Sequence, residues 1–231
     1  LGVNIPYGTP MPNSTSLWCW RENPILSLPS YGKIAQVGQD APDIAGRKFK
    51  SFYALYLVED IPSYPDTDVF YGVILDNGKR AIYTRQITTT LAGDTVLGLE
   101  QLIATDSPGA PAMMDVPAIH GGTTYPLAAL FPWFSVDLWG NVLMKATLGG
   151  AVPTSERQCL INAMAADAHA LRMRAQSFTP IATASHGTKM ITNFAITAHE
   201  QGPMGRGQGI FQNTIGTLIT FSGGTGVFTG Y

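Results

Sequence analysis

The chain has 231 residues, a length that suits one large β domain and can bury a core without disulfide staples. Only 13% of residues are charged against 45% hydrophobic, whereas soluble monomers carry about a quarter charged, so the composition fits either a surface largely covered by partners or an ordinary Gly/Pro/Thr-rich secreted β protein. A net charge of −2 with no Lys/Arg run excludes a dedicated nucleic-acid binder, and the longest apolar runs are broken short of a membrane span, which predicts a soluble protein.

Residues 1–46 are rich in proline and show no helical periodicity, running through VNIPYGTPMPNSTSLWCW and NPILSLPSYGK. Proline fixes φ and withholds a donor, so this stretch is expected to be an extended arm ahead of a β domain over 47–231. Trp18, Trp20, Leu26, Leu28 and Tyr31 are too apolar for a free tail, so the arm must dock on its own domain or on a neighbour. These five are the candidate interface residues. Leu1 in place of an initiator Met fits release from a precursor or a shortened chain, and Asn13-Ser14-Thr15 is a weak sign of secretion. Cys19 and Cys159 stand far apart and are expected as buried thiols, since no cysteine framework is visible.

From FKSFYALYLVED (49–60) the pattern turns to strand, bounded by Pro62 and Pro65. VILDNGKRAIY (73–83) then reads as a hairpin, because Asn77-Gly78 signals a two-residue type I′ turn. Pairing outward sets Leu75 against Arg80, Val73 against Ile82 and Tyr71 against Thr84 on one face, with Ile74–Ala81, Gly72–Tyr83 and Phe70–Arg85 on the other. Both faces are half apolar, so one should pack inside the domain while another element or another chain covers the other.

GDTVLGLEQLIA follows, where Asp94 caps an expected short helix carrying Leu97, Leu99, Leu102 and Ile103. A Pro/Gly-rich loop from Ser107 to Pro126 leads to one long or bent strand over 131–148. In residues 155–177, Leu160, Met164, Ala168, Leu171 and Ala175 fall at helical spacing behind a Ser155/Gln158 capping box, which predicts the longer helix. Asp167 lies on its apolar side and is expected to reach Arg174 or a partner chain. Strands at 188–200 and 209–223 and a short Gly-rich tail complete a count of about eight strands.

The search for chemistry returns no catalytic residue, no cofactor site and no metal site, so the chain is not expected to be an enzyme. His120, His169, His186 and His199 show no metal-ligand spacing, and Asp66 and Asp68 read as a solvated turn. Ser185-His186-Gly187 lacks the nucleophile elbow, and GPMGRGQG (202–209) precedes a strand where a phosphate loop needs a helix. Trp133 and Trp139, with Phe131 and Phe134, could stack on sugars, but their apolar neighbours favour core or interface packing.

The arm from Leu1 to Gly46, the strand-rich stretch from Phe49 to Thr90, the helix near Asp94 to Ala104 and the C-terminal strands together resemble a jelly-roll capsid protein of the picorna-like icosahedral viruses. The resemblance implies a mainly β chain folded as an eight-stranded antiparallel β-sandwich with one short and one longer inserted helix. It implies a structural protein released from a polyprotein, assembled in the host cytoplasm with sister capsid subunits into a virion shell that encloses the genome. It leaves room for a host receptor, weak contacts with genomic nucleic acid and no membrane span. The helix at 155–177 is longer than those usually inserted between such strands. The competing expectation is a secreted β-sandwich that binds or hydrolyses glycans.

Overall fold

The computed structural model describes residues 15–22, 29–59, 67–90, 95–111, 115–119, 123–137, 139–183, 187–196 and 216–229. Among them it shows sixteen strands in antiparallel sheets, with helix limited to single 3-10 turns at Thr154–Glu156 and Ala165–Asp167. The chain is therefore mainly β, as expected.

A hairpin of β1 (Ser16–Glu22) and β2 (Pro29–Gln36) comes first. The first large sheet runs β3 (Phe49–Glu59), β4 (Thr67–Leu75), β5 (Arg80–Thr89) and β6 (Thr95–Thr105), each strand beside the next. A small pair, β7 (Val116–Pro117) and β8 (Thr124–Tyr125), leads to the second sheet of β9 (Leu127–Val136), β10 (Val142–Leu148), β11 (Gln158–Ala163) and β12 (Leu171–Gln176). The third holds β13 (Pro180–Thr183), β14 (Gly187–Ile196), β15 (Gly216–Phe221) and β16 (Gly224–Thr229). Within every sheet the described strands follow chain order, hairpin after hairpin, which differs from the crossed order and the eight strands of the expected jelly roll.

The layers answer the puzzle of the two half-apolar faces. On one face of the first sheet, Tyr71 and Tyr83 stack at 5.9 Å beside Phe49, under Leu17, Ile34, Ala41 and Ile44 of the N-terminal hairpin and the loop after it. On the other, Phe70 and Ile82 belong to the same core as Leu130, Phe134 and Met144 of the second sheet. This chain's own elements cover both faces. The far side of the second sheet carries Leu143 and Leu160 into a smaller core with Ile191, Phe194, Ile196 and Ile219.

Several expectations are corrected. The hairpin loop has three residues, because Gly78 alone of Asp76, Asn77 and Gly78 has positive φ (79°), whereas a type I′ turn needs it at both central positions. Leu75 N donates to Lys79 O (2.7 Å), so the pairs become Tyr71–Tyr83, Gly72–Ile82 and Ile74–Arg80, one residue away from the expected register. Asn77 Nδ2 donates to Ser107 Oγ (3.2 Å), a tertiary bond that the turn residues alone do not reveal.

The short helix expected over 94–104 is strand β6, its Leu102, Ile103 and Ala104 buried between layers; Asp94 lies outside the described residues. The longer helix expected over 155–177 is the hairpin of β11 and β12. β11 is central and buried on both faces at Cys159, Leu160 and Ile161, so it lacks alternation, and its Ala- and Met-rich turn has Ala168 and His169 at left-handed φ of 51° and 60°, which a helix excludes. The single strand expected over 131–148 is two strands, β9 and β10, joined by a tight turn at residues 137–141. Part of the Gly-rich tail is β16.

The arm expected over 1–46 is, where described, a hairpin whose inward side chains Leu17, Cys19 and Ile34 enter the main core. Period-two alternation in Leu17-Trp18-Cys19 outweighs the prolines, and Pro29 sits at the first position of its strand, where a missing donor is tolerated.

Candidate functional site

The seam between the first and second sheets is closed by side chains from β3 and the β5–β6 region acting on β9, an edge strand. Asp106, 5% exposed, accepts from Arg80 N (2.6 Å) through Oδ1 and from Leu130 N (2.8 Å) through Oδ2. Arg80 Nη1 donates to Leu130 O (2.8 Å), Lys79 Nζ to Ala128 O (3.0 Å), and the Tyr56 hydroxyl to Phe134 O. Pro132 has no N–H to satisfy on that strand. A cleft of about 380 Å³ opens beside the seam, lined by Lys79, Asp106, Ser107, Pro108, Pro126 and Leu127. Asp106 and Lys79 already serve the backbone there, so the cleft is a structural feature of the seam.

The candidate interface residues divide. Alternation along the N-terminal hairpin turns Leu17 and Cys19 inward and Trp18 outward, half-buried. Tyr31 faces out on β2 and is 63% exposed; Gly32 beside it faces inward, where an added Cβ would meet Cys19 Sγ at 2.9 Å and Thr95 Cγ2 at 3.2 Å. Trp20 pairs with Tyr31 in register, and its side chain lies outside the described residues, as do Leu26 and Leu28. The structure thus brings Trp18 and Tyr31 to the outer face of one hairpin.

Ionisable groups inside the molecule are committed to structure. Glu100 accepts the Tyr71 hydroxyl and both bonds from Gln39 Nε2 (3.1 and 3.0 Å), and burial, then the Glu100 charge, pushes the Tyr71 hydroxyl far above its usual range. Cys159 Sγ donates to Ala146 O (3.4 Å), and burial pushes the thiol up to about 12, far from a reactive thiolate. Lys145 Nζ donates to Asn193 Oδ1 (2.7 Å) and Phe194 O (3.0 Å) and sits 4.3 Å from the Phe131 ring centroid; burial lowers its pKa. Asp167 pairs with Arg172 (2.6 Å), not with Arg174, because in a strand the two arginines two apart share one face and the nearer one takes the turn. Among the described residues no three His, Cys, Asp or Glu gather to hold a metal ion. His120, His186, His199, Asp66, Asn13 and residues 202–209 lie outside them. No helix of the described residues is long and apolar enough to cross a membrane.

Sequence reasoning missed the junction of the β9–β10 turn with the β11–β12 loop. Buried Asp137 organises the first, and His169 of the second reaches Gly140 O (3.1 Å) through Nε2. The Asp-x-x-Gly-Asn pattern at 137–141 was the signal, since Asp, Gly and Asn are turn formers. Trp133 and Trp139, expected in the core or at an interface, are 43% and 54% exposed in the single chain, so neither is a core residue. Comparison with protein-family models, with curated proteins and with solved structures finds no match.

Proposed function

We propose that this chain is a structural subunit of an icosahedral viral shell, in which sister capsid subunits cover its low-charge surface and the genome makes only weak contacts with it. The supporting observation is the N-terminal hairpin. Its inner face belongs to the core, while half-buried Trp18 on β1 and exposed Tyr31 on β2 stand on its outer face. An exposed large apolar side chain forgoes about 1.5 to 3 kcal/mol of burial, and burial against a neighbour recovers it. A shell is favoured over a fibre because heterologous contacts that close are self-limiting. The jelly-roll order is not part of this reading, since the described strands run as meanders.

Light scattering and negative-stain microscopy of native material test it. Closed particles of uniform size are expected, and the double variant Trp18→Ser/Tyr31→Ser should keep its circular dichroism and lose them. Protein that stays monomeric at high concentration, or that turns over a polysaccharide, would refute the shell reading in favour of a secreted glycan-active β protein.

A further inference from the structure

One sheet edge lacks the protection that the others have. A strand at an edge presents unpaired N–H and C=O groups to any strand that arrives, and folded chains blunt such edges with charge, proline, bulges or shortness. Among the described strands, β9 contains Pro132, β12 carries Arg172 and Arg174, and β13 opens on Pro180. The outer strands of the first sheet, β3 and β6, both hold charged residues and register shifts. The N-terminal pair carries Arg21 and Glu22 on β1 and Pro29 and Lys33 on β2, and β7 and β8 are two residues each. β16 has none of these devices. Its sequence Gly-Thr-Gly-Val-Phe-Thr holds neither charge nor proline, its register with β15 is unbroken, and no described strand lies on its outer side.

The register shows which backbone groups are open. Ser222 N donates to Met190 O (3.0 Å) and the Thr192 hydroxyl donates to Thr220 O (3.1 Å), so Ser222 and Thr220 aim their backbone groups at β14. Alternation along an antiparallel ladder then aims Phe221, Ile219 and Thr217 at β16, where their partners are Gly224, Gly226 and Phe228. The N–H and C=O of Thr225, Val227 and Thr229 are left pointing outward. Ile219 is buried in the smaller core, whereas Val227, one step off its partner Gly226, turns away from that core and is 71% exposed.

We propose that β16 pairs antiparallel with β16 of a second copy, about a two-fold axis at Val227, so that the two third sheets become one. The occupant is a second copy because this edge matches itself. Residues 216–229 hold no charge, so two copies meet without the like-charge repulsion that a two-fold axis imposes on a charged edge. In the register centred on Val227, the backbone of Thr225 pairs with the partner's Thr229 and Val227 pairs with the partner's Val227, so every outward N–H meets an outward C=O. The two valines then form a β-branched cross-strand pair, which takes both out of water. Each copy spends the same edge on the other, so association closes at two. The N-terminal hairpin takes no part, and the dimer stands whether or not the chain builds a shell.

Sedimentation velocity over a concentration series tests it, on the native chain and on Trp18→Ser/Tyr31→Ser, where shell contacts are removed. A dimer is expected in that variant. Val227→Lys sets two lysines against each other across the axis at an exposed position, so it should shift the chain to monomer with unchanged circular dichroism, whereas Val227→Thr should keep the dimer. Cysteine cross-linking reads the register. Residues that exchange both ladder bonds lie about 5.5 Å apart at Cα, inside the range a disulfide spans, so Val227→Cys should give a covalent dimer on mild oxidation. Thr225→Cys should not, because its copy lies roughly 13 Å away along the strand. Cys19 and Cys159 are buried and do not compete. If Val227→Lys does not fold, the cysteine pair carries the test. Dimers without closed particles in native material would support the pairing and refute the shell reading alone. A Trp18→Ser/Tyr31→Ser chain that stays monomeric, a folded Val227→Lys variant that stays dimeric, cross-linking of Thr225→Cys as fast as Val227→Cys, or growth into filaments would overturn the proposal.

Discussion

Gly72 and Tyr53 occupy one volume. A Cβ at Gly72 would lie 2.4 Å from Tyr53 Cζ, so the aromatic ring crosses β4 only where no side chain exists. Gly72→Ala should therefore lower stability by about 1 to 3 kcal/mol, seen as a lower urea midpoint at unchanged slope. The hydroxyl of the same tyrosine is buried with no hydrogen-bond partner among the described residues, and burial raises its pKa well above the tyrosine range against the opposing charge of Arg80. Tyr53→Phe removes an unsatisfied group and should raise the midpoint, by up to about 1 kcal/mol; a fall would show that the hydroxyl is bonded in solution. His169 behaves differently, because its state depends on pH. Burial holds its pKa below the ordinary value, with the Gly140 carbonyl and the Asp68 carboxylate opposing, and its Nδ1 has no partner among the described residues. The fold thus favours neutral imidazole. Its contribution is full above the unfolded value of about 6.5 and declines as pH falls from there through the lower folded value. Urea midpoints measured across this window should fall with acid in the native chain and more shallowly in His169→Gln.

Between strands, side chains take over work that a partner strand would do. Among the described residues β9 borders no strand on its outer side, and Asp106 supplies acceptors for the part-buried N–H of Arg80 and the buried N–H of Leu130. Asp106→Ala would strand both donors, with an expected loss of about 2 to 4 kcal/mol; Asp106→Asn, which keeps one acceptor, should lose less. An urea titration of the pair decides between a structural carboxylate and an incidental one. Why this seam escapes a reading of the sequence is clear from its members, since Asp106 stands at the edge of a Pro/Gly-rich loop and its partner Leu130 is 24 residues away in chain order. β3 and the hairpin at Asn77-Gly78 were legible because aromatic and β-branched propensity, turn residues and burial agree there. The strand β11 was not, because a strand buried on both faces loses its period of two and the Ala-rich turn after it continues an apolar pattern at helical spacing. The outward aromatics Trp18 and Tyr31 could be anticipated as apolar residues needing cover, but not as two residues of one hairpin face. Trp139 was hidden by its neighbours, whose apolar character suggested packing while the turn chemistry of Asp137, Gly140 and Asn141 lifted it out.

At the scale of the molecule, stability should be unequal between layers. The N-terminal hairpin, the first sheet and the inner face of the second share one large core, running from Leu17 through Tyr83 to Ile161. The third sheet joins through six buried side chains, Leu143, Leu160, Ile191, Phe194, Ile196 and Ile219, with Lys145 fastened to Asn193 and Phe194 at the border. Buried apolar area is the main favourable term in folding, so the layer with the smaller core should open first. Phe194 is the largest side chain of that core and is 2% exposed. Phe194→Ala removes its contacts and should cost about 3 to 5 kcal/mol locally, more than so small a core can lose while staying docked. Native-state hydrogen exchange resolves the consequence. Amides of β14 and β15 should exchange orders of magnitude faster in the variant, whereas those of Val69, Tyr71 and Val73 in β4 keep their native protection, because no contact in the main core has changed. Equal acceleration in both groups would mean that the third sheet unfolds only with the whole chain, and that the two cores act as one cooperative unit.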